Sequence, residues 1–117
     1  MDIGSATAAF SALSQETRLL VFRLLIKAGP QGISAGEIAD RLEVRQNTMS
    51  ANLSVLLNAG LVKKTRHGRS ITYTVNYDRL HELLGYLMEE CCGGKPEQCQ
   101  PVIDELVFDL SKEEARG

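Results

Sequence analysis

Three cysteines are the residues of this 117-residue chain whose types and spacing best suit chemistry. Cys91, Cys92 and Cys99 lie within E-C-C-G-G-K-P-E-Q-C. The glycines and the proline between them favour a turn that brings all three thiols onto one ion. Thiolates select soft ions, and structural zinc usually takes four protein ligands, whereas the chain has no fourth cysteine. Three sulfurs suit trivalent arsenic or antimony, As(III) or Sb(III), whose lone pair occupies the remaining direction.

Other uses of the three cysteines stay open. Two accessible thiols are enough for redox or persulfide sensing, and another soft metal could replace the metalloid. A disulfide is disfavoured in a reducing compartment, and a bridge between adjacent cysteines would be strained. Asp78 and His81 do not have the spacing of a zinc site, and we interpret them as surface and cap residues.

No enzyme is expected from this sequence. A nucleophilic cysteine needs a positioned base. His67 lies in a basic segment and His81 lies well before the cysteines. The sequence has no phosphate-binding loop and no carboxylate pair arranged for catalysis.

The charges of the chain are unevenly distributed. The net charge of −2 combines a region at 41–77, with six basic side chains against Glu43 alone, and an acidic region at 78–117. A positive surface of this kind favours contact with a polyanion. The 44% hydrophobic content is typical of one globular domain, and no apolar run is long enough to cross a membrane. Without a secretory signal at its start, the chain is expected to be cytoplasmic, with no membrane partner.

Helical periodicity dominates the first half of the sequence. Ser5 and Ser14 are predicted to cap the first two helices, with Phe10 and Leu20 among the inward apolar side chains. Ser34 and Glu37 are three residues apart, which predicts a capping box at the start of the third helix. A fourth helix is predicted from about Arg45 to Ala59, before a stop at Gly60.

A basic hairpin is predicted after the fourth helix. Ile71, Tyr73 and Val75 alternate with polar residues, as in a half-buried strand. The segment 61–66 can pair with this strand across a turn at His67 and Gly68. Helical spacing returns from Tyr77 to about Cys91, and a last amphipathic helix is predicted from Pro101. The predicted domains are 1–92, for DNA binding and dimerisation, and 93–117, a cysteine loop with a short C-terminal helix or tail.

The third and fourth helices, joined by L-E-V, predict a helix-turn-helix, and the hairpin adds a wing. The expected fold is mainly α with a two-stranded β-wing: a winged helix-turn-helix, α-α-α-α-β-β-α, with a further helix possible at the end. Small polar and amide side chains on the fourth helix suit a major groove, and cations on the hairpin suit phosphates. The residues predicted to bind double-stranded DNA are Arg45, Gln46, Asn47, Thr48, Ser50, Ala51, Ser54, Lys63, Lys64, Arg66, His67 and Arg69.

Residues 13–75 resemble the ArsR (ArsR/SmtB) family of metalloregulatory repressors. The resemblance lies in L-S-Q-E-T-R-L-L-V-F-R-L-L, I-S-A-G-E-I-A-D-R-L, N-T-M-S-A-N-L-S-V-L-L-N-A-G-L-V and the wing K-K-T-R-H-G-R-S-I-T-Y-T-V. It implies a homodimer that binds operator DNA and leaves it when a metal or metalloid binds, regulating arsenic resistance genes. A dimer helix is implied from Tyr77 to Cys91. The predicted interface residues are Phe10, Leu80, Leu83, Leu84, Leu87 and Met88.

The chain departs from the family pattern at two places. Family reading helices often have proline at the position of Asn47 and histidine at those of Ala51 and Asn52, so the resemblance implies the DNA-binding role but not the operator sequence. The first helix of the helix-turn-helix, A-G-E-I-A-D-R-L, lacks the cysteine pair of the best-known arsenic sensors. The chain instead resembles members whose arsenic-binding cysteines lie at and beyond the end of the dimer helix.

Overall fold

The computed structural model describes residues 1–88, and Met1–Leu83 form one compact unit. The helices are α1 (Ile3–Leu13), α2 (Glu16–Ala28), α3 (Ala35–Leu42), α4 (Gln46–Asn58) and α5 (Tyr77–Met88). The strands are β1 (Ile33–Ser34), β2 (Val62–His67) and β3 (Ser70–Val75), and a short 3₁₀ turn occupies Gly29–Gln31. The predicted winged helix-turn-helix is confirmed: α3 and α4 form the helix-turn-helix, and β2 and β3 form the wing.

The wing is part of a three-stranded antiparallel sheet in the order β1-β3-β2. The predicted two-stranded hairpin is present, and β1 adds a short third strand in which Ile33 lies opposite Tyr73. A two-residue strand is too short to leave a periodic signal in the sequence. The hairpin turn falls at Gly68 and Arg69, one residue later than predicted, with Gly68 at φ +62°. Glycine adopts positive φ without the steric cost that a Cβ brings, which suits a two-residue turn.

The core lies between the helices and one face of the sheet. Met49, Leu53 and Leu56 of α4 are at most 1% exposed, as their spacing predicts. Val62 and Val75, which lie opposite each other in β2 and β3, are both buried. The inner face of α4 is therefore anchored in the core, which fixes the direction of its outer face.

The predicted caps of the first two helices were wrong by one to three residues. Asp2 caps α1, since its carboxylate accepts a hydrogen bond from the Ser5 backbone N–H at 2.7 Å. That bond lowers the pKa of Asp2. Gln15 caps α2 through a 2.9 Å bond from the Arg18 backbone N–H. Ser14 instead donates its hydroxyl back to the Ser11 carbonyl, so it closes α1 rather than opening α2.

Only half of the predicted capping box forms at α3. The Ser34 hydroxyl accepts from the Glu37 backbone N–H at 3.2 Å, as predicted. The Glu37 carboxylate instead accepts from Arg41 at 2.8 Å. Ser34 pairs with Thr72 as part of β1, so its backbone belongs to the sheet rather than to a reciprocal cap.

Phe10 and Leu20 do not point into the core, contrary to the sequence-based prediction. They are 42% and 44% exposed, whereas Ala12 and Phe22 are buried. The buried side chains of α1 are all alanine, and their small size lets the helix backbone approach the core closely. The larger side chains of Ile3 and Phe10 are exposed, and that of Leu13 is half-buried.

The described part of α5 carries both buried and exposed leucines. Leu83 is 3% exposed, whereas Leu84 and Leu87 are 54% and 57% exposed. The predicted end of this helix near Cys91, the domain boundary after residue 92 and the helix from Pro101 lie outside the described residues. Within residues 1–88, no helix is long and apolar enough to cross a membrane.

Candidate nucleic-acid interface

The outer face of α4 is a polar surface opposite a fully buried one. Arg45 is the N-cap residue and makes no side-chain capping bond, so it does not cover the start of the helix. The predicted DNA-binding residues of this region are all exposed: Arg45, Gln46, Asn47, Thr48, Ser50, Ala51 and Ser54. Side chains of this size allow a helix to enter a major groove about 12 Å wide.

Arg18 fixes α4 to the first two helices. Its Nε donates to the Ala12 carbonyl at 2.6 Å, and its Nη1 donates to Asn52 Oδ1 at 3.2 Å. The half-buried guanidinium therefore connects the end of α1 with the middle of α4. Sequence reasoning missed both partners of this contact. A single arginine on the otherwise apolar side of α2 was the only available signal.

Asn76 joins the end of α4, the base of the wing and the start of α5. Its side-chain amide donates to the Gly60 carbonyl at 2.8 Å, and its backbone N–H donates to the Leu61 carbonyl at 2.9 Å. Its Oδ1 accepts from the Arg79 backbone N–H at 3.4 Å, so Asn76, rather than Asp78, caps α5. Sequence reasoning missed this residue too, although an asparagine just before a helix is a typical cap signal.

The cations of the wing are all exposed. The predicted residues are Lys63, Lys64, Arg66, His67 and Arg69. Lys64 lies opposite Tyr73 and Arg66 opposite Ile71, whereas Lys63 lies opposite Thr74. Arg69 lies in the hairpin turn. Among the described residues, none of these cations is within ion-pair distance of a carboxylate.

The charges of the segment at 44–77 are all positive, and they lie at Arg45 and on the wing, whereas α4 itself carries no charged side chain. No aspartate or glutamate occurs between residues 44 and 77, the segment that contains α4 and the whole wing. Because no carboxylate of this segment offsets them, these cations together attract anions, most strongly at low salt.

Residues 1–88 offer no metal site. No group of three histidine, cysteine or acidic side chains comes together among them. Asp78 and His81 are both exposed, in keeping with our interpretation of them as surface residues. Cys91, Cys92 and Cys99 lie outside the described residues, so the three-sulfur site stays a prediction.

The predicted dimer-interface residues differ widely in their exposure. Phe10 of α1 is 42% exposed, and in α5 Leu84, Leu87 and Met88 are 54%, 57% and 36% exposed. Leu80 is half-buried. Leu83, at 3% exposure, has almost no surface left to offer to a partner. Their role in dimerisation stays a prediction.

The fold and its polar helix define a winged helix-turn-helix protein, and comparison with known proteins agrees. A helix-turn-helix domain family matches residues 13–65. The chain is 31% identical over 93 residues to the uncharacterised HTH-type transcriptional regulator YbzH of Bacillus subtilis (strain 168), covering 69% of this chain and 93% of YbzH. The chain belongs to the helix-turn-helix transcriptional regulators.

Solved structures of regulators share the fold. Reduced HlyU from Vibrio cholerae N16961 is 25% identical, with a TM-score of 0.58 over 76% of this chain and 90% of HlyU. A homodimeric winged helix-turn-helix DNA-binding domain from Mycobacterium bovis, a possible ArsR-family regulator, is 29% identical. Its TM-score is 0.60 over 75% of this chain and 82% of that domain.

Proposed function

We propose that this chain is a homodimeric transcriptional repressor that binds double-stranded operator DNA. The observation that carries the proposal is the exposed, uncharged polar face of α4, flanked by Arg45 and by the exposed cations of the wing, with no acidic residue between 44 and 77. In the proposed complex, α4 lies in the major groove and the wing cations lie along the phosphate backbone.

Dimerisation follows from how such proteins recognise DNA. Two helix-turn-helix units bind half-sites one helical turn apart, about 34–36 Å, and this spacing gives a pseudo-palindromic operator. Leu84 and Leu87 supply exposed apolar surface on α5, and Phe10 supplies it on α1. The Mycobacterium bovis domain, with the same fold, is homodimeric, which supports the same assembly for this chain.

DNA binding is tested by selection from a random-sequence duplex pool with the full-length chain. We expect a pseudo-palindromic sequence to be enriched. Affinity for the selected duplex should fall linearly on a log–log plot against salt, with a slope of about −0.9 for each phosphate neutralised. Failure to enrich any sequence, together with salt-independent binding, would contradict the proposal.

The proposed inducer is As(III) or Sb(III), bound by the thiolates of Cys91, Cys92 and Cys99. The support is the donor set: three thiols within nine residues, beginning three residues after Met88, the last described residue of α5. Binding there would change the equilibrium between DNA-bound and released dimers. Couplings of this kind are typically about 1–3 kcal/mol, or about 5- to 150-fold in affinity. The regulated genes would then be those of arsenic resistance, in a cytoplasmic setting.

A thiol-based redox or persulfide sensor is the second candidate. The similarity to HlyU, whose structure was solved in the reduced state, favours it. Another soft metal is a further alternative for the same sulfurs. Protein bound to the selected duplex is treated separately with arsenite, peroxide, a persulfide donor and cadmium. We expect arsenite to release the DNA; release by peroxide or persulfide but not by arsenite would favour the redox function.

A further inference from the structure

The cations of the wing lie on two different faces of the sheet. Side chains along a strand alternate between the faces, and directly opposed residues of an antiparallel pair share one face. Val62, Lys64 and Arg66 therefore share a face with their partners in β3. Lys63 lies on the other face with Thr74. The regular pairing from Val62 to His67 holds this assignment along the whole of β2.

The face that carries Lys64 and Arg66 is the one that packs on the helices. Val62, Val75 and Ile33 are each 3% exposed on this face, and α2, α3 and α4 contact the sheet. Beyond Val62 the remaining residues of β2 are all exposed, so the hairpin extends past the core. Lys64 and Arg66 lie on the same face as Val62 but beyond the buried core. This is the side of the sheet on which α4 lies.

The face that carries Lys63 has different neighbours. A Cβ on Gly32 would lie 2.6 Å and 2.7 Å from the methyl carbons of Thr72 and Thr74, so Gly32 packs closely beside these residues on this face. Lys63 lines a cleft of about 330 Å³ together with Pro30, Thr74, Val75, Tyr77 and Asp78. The carboxylate of Asp78 therefore shares a cleft with Lys63, whereas Lys64 has no acidic side chain opposite it.

We propose that the wing contacts DNA with one face only: Lys64 and Arg66 bind phosphates, and Lys63 does not. The inference rests on the DNA-binding function proposed above and narrows the set of wing cations expected from the sequence. A DNA duplex held by the outer face of α4 lies on the helix side of the sheet, where Lys64 and Arg66 are. Arginine can bind a phosphate through two parallel hydrogen bonds, and lysine contributes a point charge.

Lys63 and Lys64 form a matched pair for the test. They are adjacent lysines in one strand, both are exposed, and replacing either by glutamine removes the same charge. Their long-range effects on the potential are similar, so a difference between the two variants isolates the direct contact. Arg66→Gln provides a second variant on the same face as Lys64. Thermal unfolding of each variant checks that the fold is retained.

The measurement is the affinity of the full-length variants for the duplex selected by the wild-type chain, over a series of salt concentrations. We expect Lys64→Gln to reduce the salt slope by about one per protomer. Its affinity near 0.1 M salt should fall about five- to tenfold per protomer, by the same counterion relation. Arg66→Gln should behave like Lys64→Gln, and Lys63→Gln should keep the wild-type slope.

The outcomes separate this inference from the function on which it rests. Equal losses for Lys63→Gln and Lys64→Gln, or a larger loss for Lys63→Gln, would overturn the one-sided wing and leave DNA binding intact. Unchanged slopes for all three variants would also overturn it, because Lys64 and Arg66 would then make no phosphate contacts. A wild-type chain that selects no duplex would overturn the proposed function itself.

Discussion

At the scale of single residues, Arg18 has the most consequential contacts that sequence patterns did not reveal. Its guanidinium bonds to a backbone carbonyl at the end of α1 and to the Asn52 side chain in α4. Hydrogen bonds that involve a charged group are stronger than neutral ones, and a half-buried site reduces the screening by water. Arg18 therefore acts as a positioning residue for α4, and its removal should affect both stability and DNA binding.

A double-mutant cycle of Arg18→Gln and Asn52→Ala tests this contact. We expect a coupling energy of about 1 kcal/mol in the free energy of unfolding, since the two side chains share one hydrogen bond. The measurement is urea unfolding of the two single variants and the double variant. Arg23→Gln, which changes an exposed arginine of the same helix, is the control. Strictly additive effects would show that the bond does not hold α4 in place.

At the scale of elements, β1 depends on a glycine that no periodic pattern identifies. Gly32 has φ +71°, and a Cβ there would lie 2.5 Å from the Tyr73 carbonyl oxygen. Gly29 has a similar φ of +75°, but a Cβ there would meet no atom within 4 Å. The two glycines therefore separate the cost of the backbone conformation from the cost of the close approach of β1 to β3.

Gly32→Ala should destabilise the protein more than Gly29→Ala. Both glycines combine a positive φ with a ψ near 180°, a conformation almost confined to glycine that costs a residue with a Cβ about 1–3 kcal/mol, and both variants share that cost. Gly32→Ala adds the displacement of β1 from β3, for a total of about 3 kcal/mol. Thermal unfolding of both variants measures the difference. Equal melting temperatures would mean that displacing β1 from β3 has no cost in the free energy of unfolding.

Helix α4, the proposed DNA-reading helix, gives the second prediction about an element. Asn47→Ala should weaken binding to the selected duplex by about 1–3 kcal/mol and relax the preference at one base pair, because amide side chains can read adenine. Asn58→Ala is the matched control, since Asn58 is an exposed asparagine at the other end of the same helix. Competition with single-base variants of the duplex measures both effects. An equal loss for Asn58→Ala would place the DNA along the whole helix.

Sequence reasoning predicted elements that depend on local signals and missed those that depend on tertiary contacts. The spacing of Met49, Leu53 and Leu56 predicted the buried face of α4, and alternation around Tyr73 predicted β3. Patterns of this kind repeat often enough to be recognised. The pairing of Ile33 with Tyr73 and the bond between Arg18 and Asn52 join residues that are distant in sequence, so no local pattern reports them. The candidate site was predictable to the extent that exposed polar and basic residues cluster in one segment.

At the scale of the whole molecule, the proposed repressor requires two copies of the chain. Leu87 is 57% exposed on α5, so it offers apolar surface to a second copy. Leu87→Glu should shift the protein towards monomers, because a charge buried in an apolar interface is costly. DNA affinity should fall with it, as one half-site would be bound alone. Sedimentation at several concentrations measures the assembly, with Ile71→Glu on the wing as an exposed apolar control.

A Leu87→Glu protein that sediments as the wild type does would place the dimer interface elsewhere. A wild-type chain that is monomeric at all concentrations, yet binds a pseudo-palindromic duplex, would mean that dimerisation occurs only on DNA. Either result would change the proposed assembly without changing the role of α4.

The charge distribution explains why the whole-chain composition is a poor guide to the partner. The net charge of −2 differs from the charge of either region, because the segment at 41–77 carries a net +5 and residues 78–117 carry a net −6. Phosphate contacts respond to the local potential within about 10 Å at 0.1 M salt rather than to the total charge. An acidic protein can therefore bind DNA through one positive surface.

The proposed function couples DNA binding to thiolate chemistry at Cys91, Cys92 and Cys99. Arsenite titration of the full-length protein on its selected duplex tests it most directly, with Cys91→Ser, Cys92→Ser and Cys99→Ser measured beside the wild type. We predict release of the wild type at one arsenic per three-sulfur site, with each single variant requiring much more arsenite. Two results would contradict this coupling: release that persists unchanged in the Cys91→Ser/Cys92→Ser double variant, or a wild type that arsenite does not release from DNA.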